Sequence, residues 1–540
     1  MNGARRMTSE ACFGATLAEH RAARPEAIAI RPLPEHPAMP PWSREGLHQA
    51  ISRIAAMLAA APGFAPGMRI GWIGPNEPPL LALFFACVRL GITLVQLNWR
   101  LSAEELRWIE ADADFRILCA PCQQRPGAPA FTHPYIKEFE ARCGSEGRLL
   151  LDPAMASAGE TDPPPDAPAP DTPLLIGYTS GTTGRPKGAV LTQAAFAANA
   201  ANAQAIFGFG PADRVLTVLP LFHVGGLNIQ TVPALLAGAE LLLPQRFDPD
   251  GFFDAVALHR PGLTLLVPAV MQALVAHPRW ATADLGSLRA IGAGSSEVPL
   301  RLIEAFHARG IPVQQIYGAT ETAPIAIAQS RAEALAHPGS IGLTAPLGEA
   351  CIQDPEGRPL PPGAEGEIAV RGPNVMQGYW RAPGATAAVL RDGWFATGDI
   401  GRMDAEGRFW FTDRLKHLII SGGENVYPAE VERVLATAPG VLEGAVCGRP
   451  DPRWGEVPVA VVVPGPGFDR ASVLRHFEGR LARFKQPRDL VLVAALPRNA
   501  LGKVQLAALR ALAAGSKPGT APDRPWAAAP GQPAGPLHGR

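Results

Sequence analysis

Tyr178-Thr-Ser-Gly-Thr-Thr-Gly-Arg-Pro-Lys-Gly188 is the stretch on which the reading of this 540-residue chain turns. It follows a strand-like run at 174–177 and packs three glycines, four Ser/Thr hydroxyls and one lysine into eleven positions. Glycines let backbone N–H groups approach and wrap an anion, hydroxyls add donors, and Lys187 adds charge. Those are the parts of a phosphate cradle; the competing reading is a plain surface turn. The loop is not a Walker A motif, because Lys187 stands between Pro186 and Gly188, where GxxxxGK[ST] needs Gly before and Ser or Thr after.

Outward from the loop, composition sets bounds. With 47% hydrophobic and 18% charged residues the chain supports large cores, which excludes disorder throughout. At ~150 residues per domain, the length implies several subdomains. Lys and Arg (49) balance Asp and Glu (49), removing the field that nucleic-acid and anionic-membrane binders carry. Seven cysteines argue against a disulfide framework. Cys119 and Cys122 form one CxxC without a second pair, so they read as partly buried thiols and not as a zinc site. The most apolar run, residues 80–88, falls far short of the ~20 that span a bilayer. The N-terminus lacks an apolar secretory core, and His538-Gly539-Arg540 does not resemble a peroxisomal signal. A soluble cytoplasmic protein is expected. Six lysines (137, 187, 416, 485, 503, 517) stand beside 43 arginines, so a retained lysine hints at a need for a compact ammonium.

Residues 69–73, 92–97 and 116–119 read as strands, with a buried helix at 79–90 and a second helix at 103–110 opened by the capping-box spacing of Ser102 and Glu105. This β-α-β-α-β order favours a parallel sheet covered by helices. Residues 152–173 hold seven prolines and five acids with no basic residue, the composition of an exposed connector. Apolar strands recur at 214–219, 240–243, 263–267 and 313–317, a second α/β region. From about Gly401, short strands and amphipathic helices near 428–437 and 470–484 suggest a compact unit of roughly 100 residues. The tail 513–540 reads as disordered. The expected organisation is therefore a large domain over 1–412, a hinge at 413–416, a small domain over 417–512 and the tail.

The loop resembles the phosphate-binding signature of the adenylate-forming (AMP-binding) superfamily, and further matches follow in that family's order. They are Tyr317-Gly-Ala-Thr-Glu321, Gly393-Trp-Phe-Ala-Thr-Gly-Asp399, Asp413-Arg-Leu-Lys416 and Pro497-Arg-Asn-Ala-Leu-Gly-Lys503. The resemblance runs from about Arg69 to Arg510 and points to the acyl-CoA synthetase (fatty-acid–CoA ligase) branch. It implies a large domain of α/β subdomains and a small mobile α+β domain. It also implies ATP, Mg²⁺ and CoA as cofactor or co-substrates, with a small carboxylic acid, fatty or aryl, as the other substrate.

Carried residue by residue, the resemblance assigns the phosphates to Thr179, Ser180, Gly181, Thr182, Thr183, Gly184 and Lys187. Tyr317, Ser295 and Ser296 go to the adenine, Gly318 to the nucleotide, Asp399 to the ribose, and Arg414 to the ribose or a phosphate. Glu321 becomes the Mg²⁺ ligand, since a hard cation takes oxygen donors. Thr320, Lys503 and His223 receive catalytic roles, with Lys503 at the acyl carboxylate and α-phosphate. At ~4 Å and an effective dielectric near 20, such an ammonium contributes about 4 kcal/mol gross. Lys416 sits in the hinge, and Ser421, Gly422 and Gly423 form the loop on the CoA side. Val224, Gly225, Gly226, Ala293, Gly294 and Ala319 line the acyl pocket. Two departures matter. The segment Gly292-Ala-Gly-Ser-Ser-Glu297 replaces the usual Gly-Gly-Ala-Pro, and His223 replaces the Asp that amino-acid-activating relatives carry. The implied reaction is adenylation of a carboxylic acid followed by transfer to CoA. The alternatives are loading of a separate carrier protein, or a non-catalytic nucleotide sensor.

Overall fold

Residues Pro78–Leu90 show how the local code plays out. Prolines in the first turn surrender N–H groups that have no helical partner, and Gly91 ends the helix with φ 64°. Every residue of this helix except Arg89 is buried, which explains its uniformly apolar sequence. The computed structural model describes residues 9–34, 39–121, 131–144, 147–156, 168–179, 185–294, 298, 300–414, 419–426, 428–497, 504 and 506–515. Among them, no helix is long and apolar enough to cross a membrane.

The described residues fall into two compact units. The first draws on Met1–Asn98, Ile109–Thr179 and Lys187–Leu415; the second draws on Trp99–Trp108, Ser180–Pro186 and Lys416–Arg540. A seven-stranded sheet in the first unit runs Gly378–Tyr379, Lys187–Thr192, Pro173–Thr179, Thr93–Leu97, Arg69–Ile73, Ile117–Cys119, Leu149–Leu151. Its last five strands are parallel, as the β-α-β order implies, and the first two attach antiparallel. A nine-stranded sheet carries Glu240–Pro244, Arg214–Leu216, Leu263–Leu266, Ala290–Gly294 and Val313–Tyr317 side by side in parallel. One continuous hydrophobic core joins these layers. A third sheet, over Glu349–Arg414, is antiparallel throughout and was not anticipated; its strands alternate only weakly between buried and partly exposed positions.

In the second unit Val441–Asp451, Gly455–Pro464, Ile419–Ser421 and Glu424–Val426 form a sheet that Asp489–Leu492 joins in parallel, with apolar clusters built on Ile419, Val462 and Phe477 and on Val459, Val461 and Leu509. Trp99–Trp108, expected in the large domain, groups with this unit. The capping box is real: Ser102 N–H donates to Glu105 Oε2 at 2.8 Å and Glu105 N–H to Ser102 Oγ at 3.2 Å. Glu105 also reaches Lys485, whose Nζ donates to Glu105 Oε1 at 2.9 Å and Glu430 Oε1 at 2.7 Å. Lys485 is 4% exposed. Burial works against its ammonium, but the two carboxylates outweigh it and hold the pKa above the usual lysine value. Burial pushes the Glu430 carboxyl up, with Lys485 opposing.

Several boundaries are corrected. The connector is not exposed at its start: Asp152 and Pro153 are buried, because Asp152 caps a short 3-10 turn through the Ala154 N–H at 3.0 Å. Cys119 is fully buried within the strand Ile117–Cys119. The helix expected over 470–484 stops at His476 and resumes as a 3-10 turn at Arg483–Lys485. The final helix runs Leu506–Gly515 with Ala513 buried, so the start of the expected disordered tail belongs to the fold.

Candidate active site

The phosphate-loop motif is held by its stems. Thr179 closes the strand Pro173–Thr179 directly opposite Lys187, the first residue of the antiparallel strand Lys187–Thr192. Tyr178 anchors the stem: its hydroxyl donates to Asp112 Oδ2 at 2.6 Å, and burial with that carboxylate keeps the phenol protonated far above its usual range. Ser180, Gly181, Thr182, Thr183 and Gly184 lie outside the described residues.

Gly177, the residue just before the motif, is where three expected parts of the site meet. A Cβ there would stand 2.7 Å from Thr320 Cγ2 and 3.4 Å from Val224 Cγ2. Only a missing side chain lets the strand, the Thr320 turn and the acyl segment approach so closely. The turn itself is fixed. Ala319 N–H donates to Thr322 Oγ1 at 3.0 Å, and Asn374 Nδ2 donates to Thr322 O and Ile325 O, both at 2.8 Å. A Cβ on Gly318 would fall 1.7 Å from Pro324 O, so that position admits nothing larger.

Glu321 is 8% exposed, and its Oε1 accepts from Tyr379 Oη at 2.8 Å and Thr179 Oγ1 at 3.4 Å. Lys187 Nζ lies 5.3 Å from the centre of the same Tyr379 ring. Tyr379 thus ties the expected metal ligand to the expected phosphate lysine, a role sequence reading missed. One signal was present: only five tyrosines occur in 540 residues, and Tyr379 is one of them. Among the described residues no cluster of three His, Cys, Asp or Glu is placed to hold a metal. A single buried carboxylate flanked by hydroxyls suits Mg²⁺, which is usually bound through one or two carboxylates plus substrate phosphates.

On the nucleoside side, Tyr317 at the end of Val313–Tyr317 donates its hydroxyl to Asp399 Oδ2 at 2.9 Å. The residues assigned to adenine and ribose are therefore already coupled. Arg414 stands opposite Asp399 in backbone register, its side chain outside the described residues. So are Ser295, Ser296, Lys416 and Lys503.

For the acyl pocket, Val224 and Gly226 are buried in the one-turn helix Val224–Gly226, which also contains Gly225. A Cβ at Gly226 would meet Pro220 O at 2.1 Å, and one at Gly294 would meet Ile316 O at 2.3 Å. Ala293 and Gly294 are buried in Ala290–Gly294, and Ala319 is half-buried. His223 is exposed at the N-cap of that helix without a capping side-chain bond, its ring 4.6 Å from that of Phe222. In the second unit Ser421 is buried, and Gly422 and Gly423 turn with φ 61° and 82°. Positive φ is the immediate reason for both glycines. A separate cavity of about 660 Å³, bordered by Phe13, Leu47 and Phe85, shares no residue with these groups.

The sequence model of the AMP-binding enzyme family matches residues 18–380, and that of the AMP-binding enzyme C-terminal domain matches 430–503. The chain is 47% identical to indoleacetate–CoA ligase of Aromatoleum aromaticum, across 86% of this chain and 92% of that protein. It is 42% identical to a feruloyl-CoA synthase of Amycolatopsis sp, across 85% and 91%. Its fold matches the structure of a double mutant of o-succinylbenzoate CoA synthetase from Bacillus subtilis bound to a product analogue. The TM-score is 0.81 at 31% identity, covering 92% of this chain and 97% of that one.

Proposed function

The chain belongs to the AMP-binding enzyme family, in the acyl-CoA synthetase branch, and on that premise we propose that it joins a carboxylic acid to CoA at the expense of ATP. A carboxylate oxygen attacks the α-phosphorus of ATP and the bond to pyrophosphate breaks. The CoA sulfur then attacks the acyl carbon, the bond to AMP breaks, and the thiol proton passes to solvent. The observation that best supports this reading is the junction at Gly177, which brings Thr320 and Val224 against the strand leading into the phosphate loop. An acid lying along Val224 has its carboxylate beside the phosphate-binding elements, the proximity that makes attack effectively unimolecular.

Thr179 and Lys187 bind phosphate oxygens, Tyr317 and Asp399 orient the nucleoside, and Glu321, steadied by Tyr379, would hold Mg²⁺. Bound there, the metal would neutralise phosphate charge. Lys503 stabilises the charge that develops as pyrophosphate leaves, while Ser421, Gly422 and Gly423 admit the thiol arm. A cytoplasmic enzyme acting on a fatty or aryl acid, with its hinge at 413–416, completes the proposal.

Pyrophosphate release over a panel of carboxylic acids, with and without CoA, tests it. AMP release that depends on CoA is expected; ATP binding without pyrophosphate release from any acid would leave only a nucleotide sensor. Lys503→Ala is expected to lose ~10²–10³-fold in adenylation and much less in thioester formation from supplied acyl adenylate. Equal losses contradict the division of labour.

A further inference from the structure

Gln230 is 2% exposed, yet neither its amide nitrogen nor its amide oxygen has a hydrogen-bond partner among the described residues. Natural interiors satisfy nearly all such atoms, and an unpaired amide loses at both ends. Asn228 Oδ1, two residues earlier, is also without a partner among the described residues, but the other polar groups of this stretch bond elsewhere. Asn228 Nδ2 donates to Ala323 O at 2.7 Å, Thr231 Oγ1 to Gly226 O at 2.7 Å, and Ile325 N–H to Asn199 Oδ1 at 2.9 Å. These bonds form without Gln230. The backbone singles out the same place: Leu227–Thr231 winds as a π-helix, a rare geometry that recurs at functional sites.

The amide reaches across to Ala290–Gly294. Its Nε2 lies 3.3 Å from where a Cβ on Gly292 would stand, in company with Phe207 Cζ at 3.2 Å and Leu265 Cδ1 at 3.0 Å. Gly292 is followed by Ala293 and Gly294 of the expected acyl wall. A void of about 10 Å³, large enough for roughly one water, adjoins the amide beside Leu219, Gly226 and Leu265. From Val224, at the reacting end, six residues advance the chain by at most ~9 Å to Gln230, because the wider π turn rises less per residue than an α-helix. A ring on a short linker spans such a distance; a long alkyl chain overruns it.

We infer that Gln230 is a specificity-determining residue at the far end of the acyl site, and that the acid is an aryl acid whose ring bears an N–H or O–H that pairs with this amide. The inference deepens the ligase reading and rests on it.

The test compares matched acids by kcat/KM for pyrophosphate release: indole-3-acetate against 1-naphthylacetate, and 4-hydroxycinnamate against cinnamate. The wild-type protein should favour the hydrogen-bonding member by about 10–100-fold. In Gln230→Leu, and in Gln230→Met as a second variant, the ratio should fall toward one, the loss falling on the N–H or O–H acid. The thermal midpoint without substrate should stay level or rise, because an unpaired buried amide has been removed. An unchanged ratio, or equal losses on both members of a pair, overturns the inference. So does a clear fall in midpoint in both variants, which would make the amide a structural bonding group. Activation of straight-chain acids with no preference within the aryl pairs also overturns it while leaving the ligase reading intact. Absence of pyrophosphate release from every acid overturns the ligase reading itself.

Discussion

Replacing Tyr379 by Phe deletes one oxygen and leaves the ring in place. That oxygen donates to Glu321 Oε1 at 2.8 Å, and the carboxylate it steadies is 8% exposed. Hydrogen bonds to charged groups contribute about 1.5–3 kcal/mol. Taking ~2 kcal/mol for this half-buried pair, kcat/KM for MgATP should fall roughly 30-fold. The Lys187 ammonium, 5.3 Å from the ring centre, keeps its contact with Phe but loses it in Tyr379→Leu. At ~0.5–1 kcal/mol for a partly exposed cation–π pair, the leucine variant should lose a further ~2–5-fold. The assay is pyrophosphate release at saturating acid, with MgATP varied at high and at low free Mg²⁺. Because a loosened Glu321 holds the metal less well, the loss should deepen at low free Mg²⁺. A Phe variant within about two-fold of wild type at both Mg²⁺ levels would refute the placement of Glu321 at the nucleotide. Equal rates for Phe and Leu would refute the role of the ring.

Two further perturbations probe a close approach and a buried ion pair. Gly177→Ala puts a methyl 2.7 Å from Thr320 Cγ2, against an ordinary carbon contact of ~3.5–4.0 Å. Displacing that turn by ~1 Å should cost about 10²-fold in kcat; an unaltered kcat in single-turnover kinetics would remove Thr320 from the reacting geometry. Lys485→Met strands Glu430 in the interior and should cost ~3–5 kcal/mol by denaturant unfolding. Burial raises the Glu430 carboxyl, and the variant loses the opposing Lys485. The folded state then binds a proton more tightly than the unfolded one, so the deficit should shrink as pH falls from 8 to 5 and grow as pH rises. A deficit independent of pH would show that Glu430 is not left charged and unpaired.

The loop stems at Thr179 and Lys187, the Thr320–Glu321 turn and the pairing of Tyr317 with Asp399 lie in short motifs whose residue types have a local reason to sit together, and that made them legible. The parallel strands Arg69–Ile73, Thr93–Leu97 and Ile117–Cys119 were legible for a similar reason: apolar runs of strand length alternate with helix signals. Tyr379 was not, since it lies 58 residues from Glu321 on the two-residue strand Gly378–Tyr379, too short to leave a pattern. Trp99–Trp108 was misplaced for a related reason. Its capping box is visible in sequence, but Glu105's partner Lys485 stands 380 residues away.

From sequence alone follow the residue types the chain sets out and their order: hydroxyls and glycines over residues 178–188, a carboxylate after Thr320, an aspartate after Gly398. Those depend on turn geometry and side-chain type within a few residues. Tertiary structure alone decided that Gly177 is the contact point of three segments, that Tyr379 joins Lys187 to Glu321, and that Gln230 is buried without a partner among the described residues. Each of these depends on which distant surfaces meet once the sheets are packed. Close packing is a property of the assembled interior, and no local pattern encodes which atoms will be left facing one another.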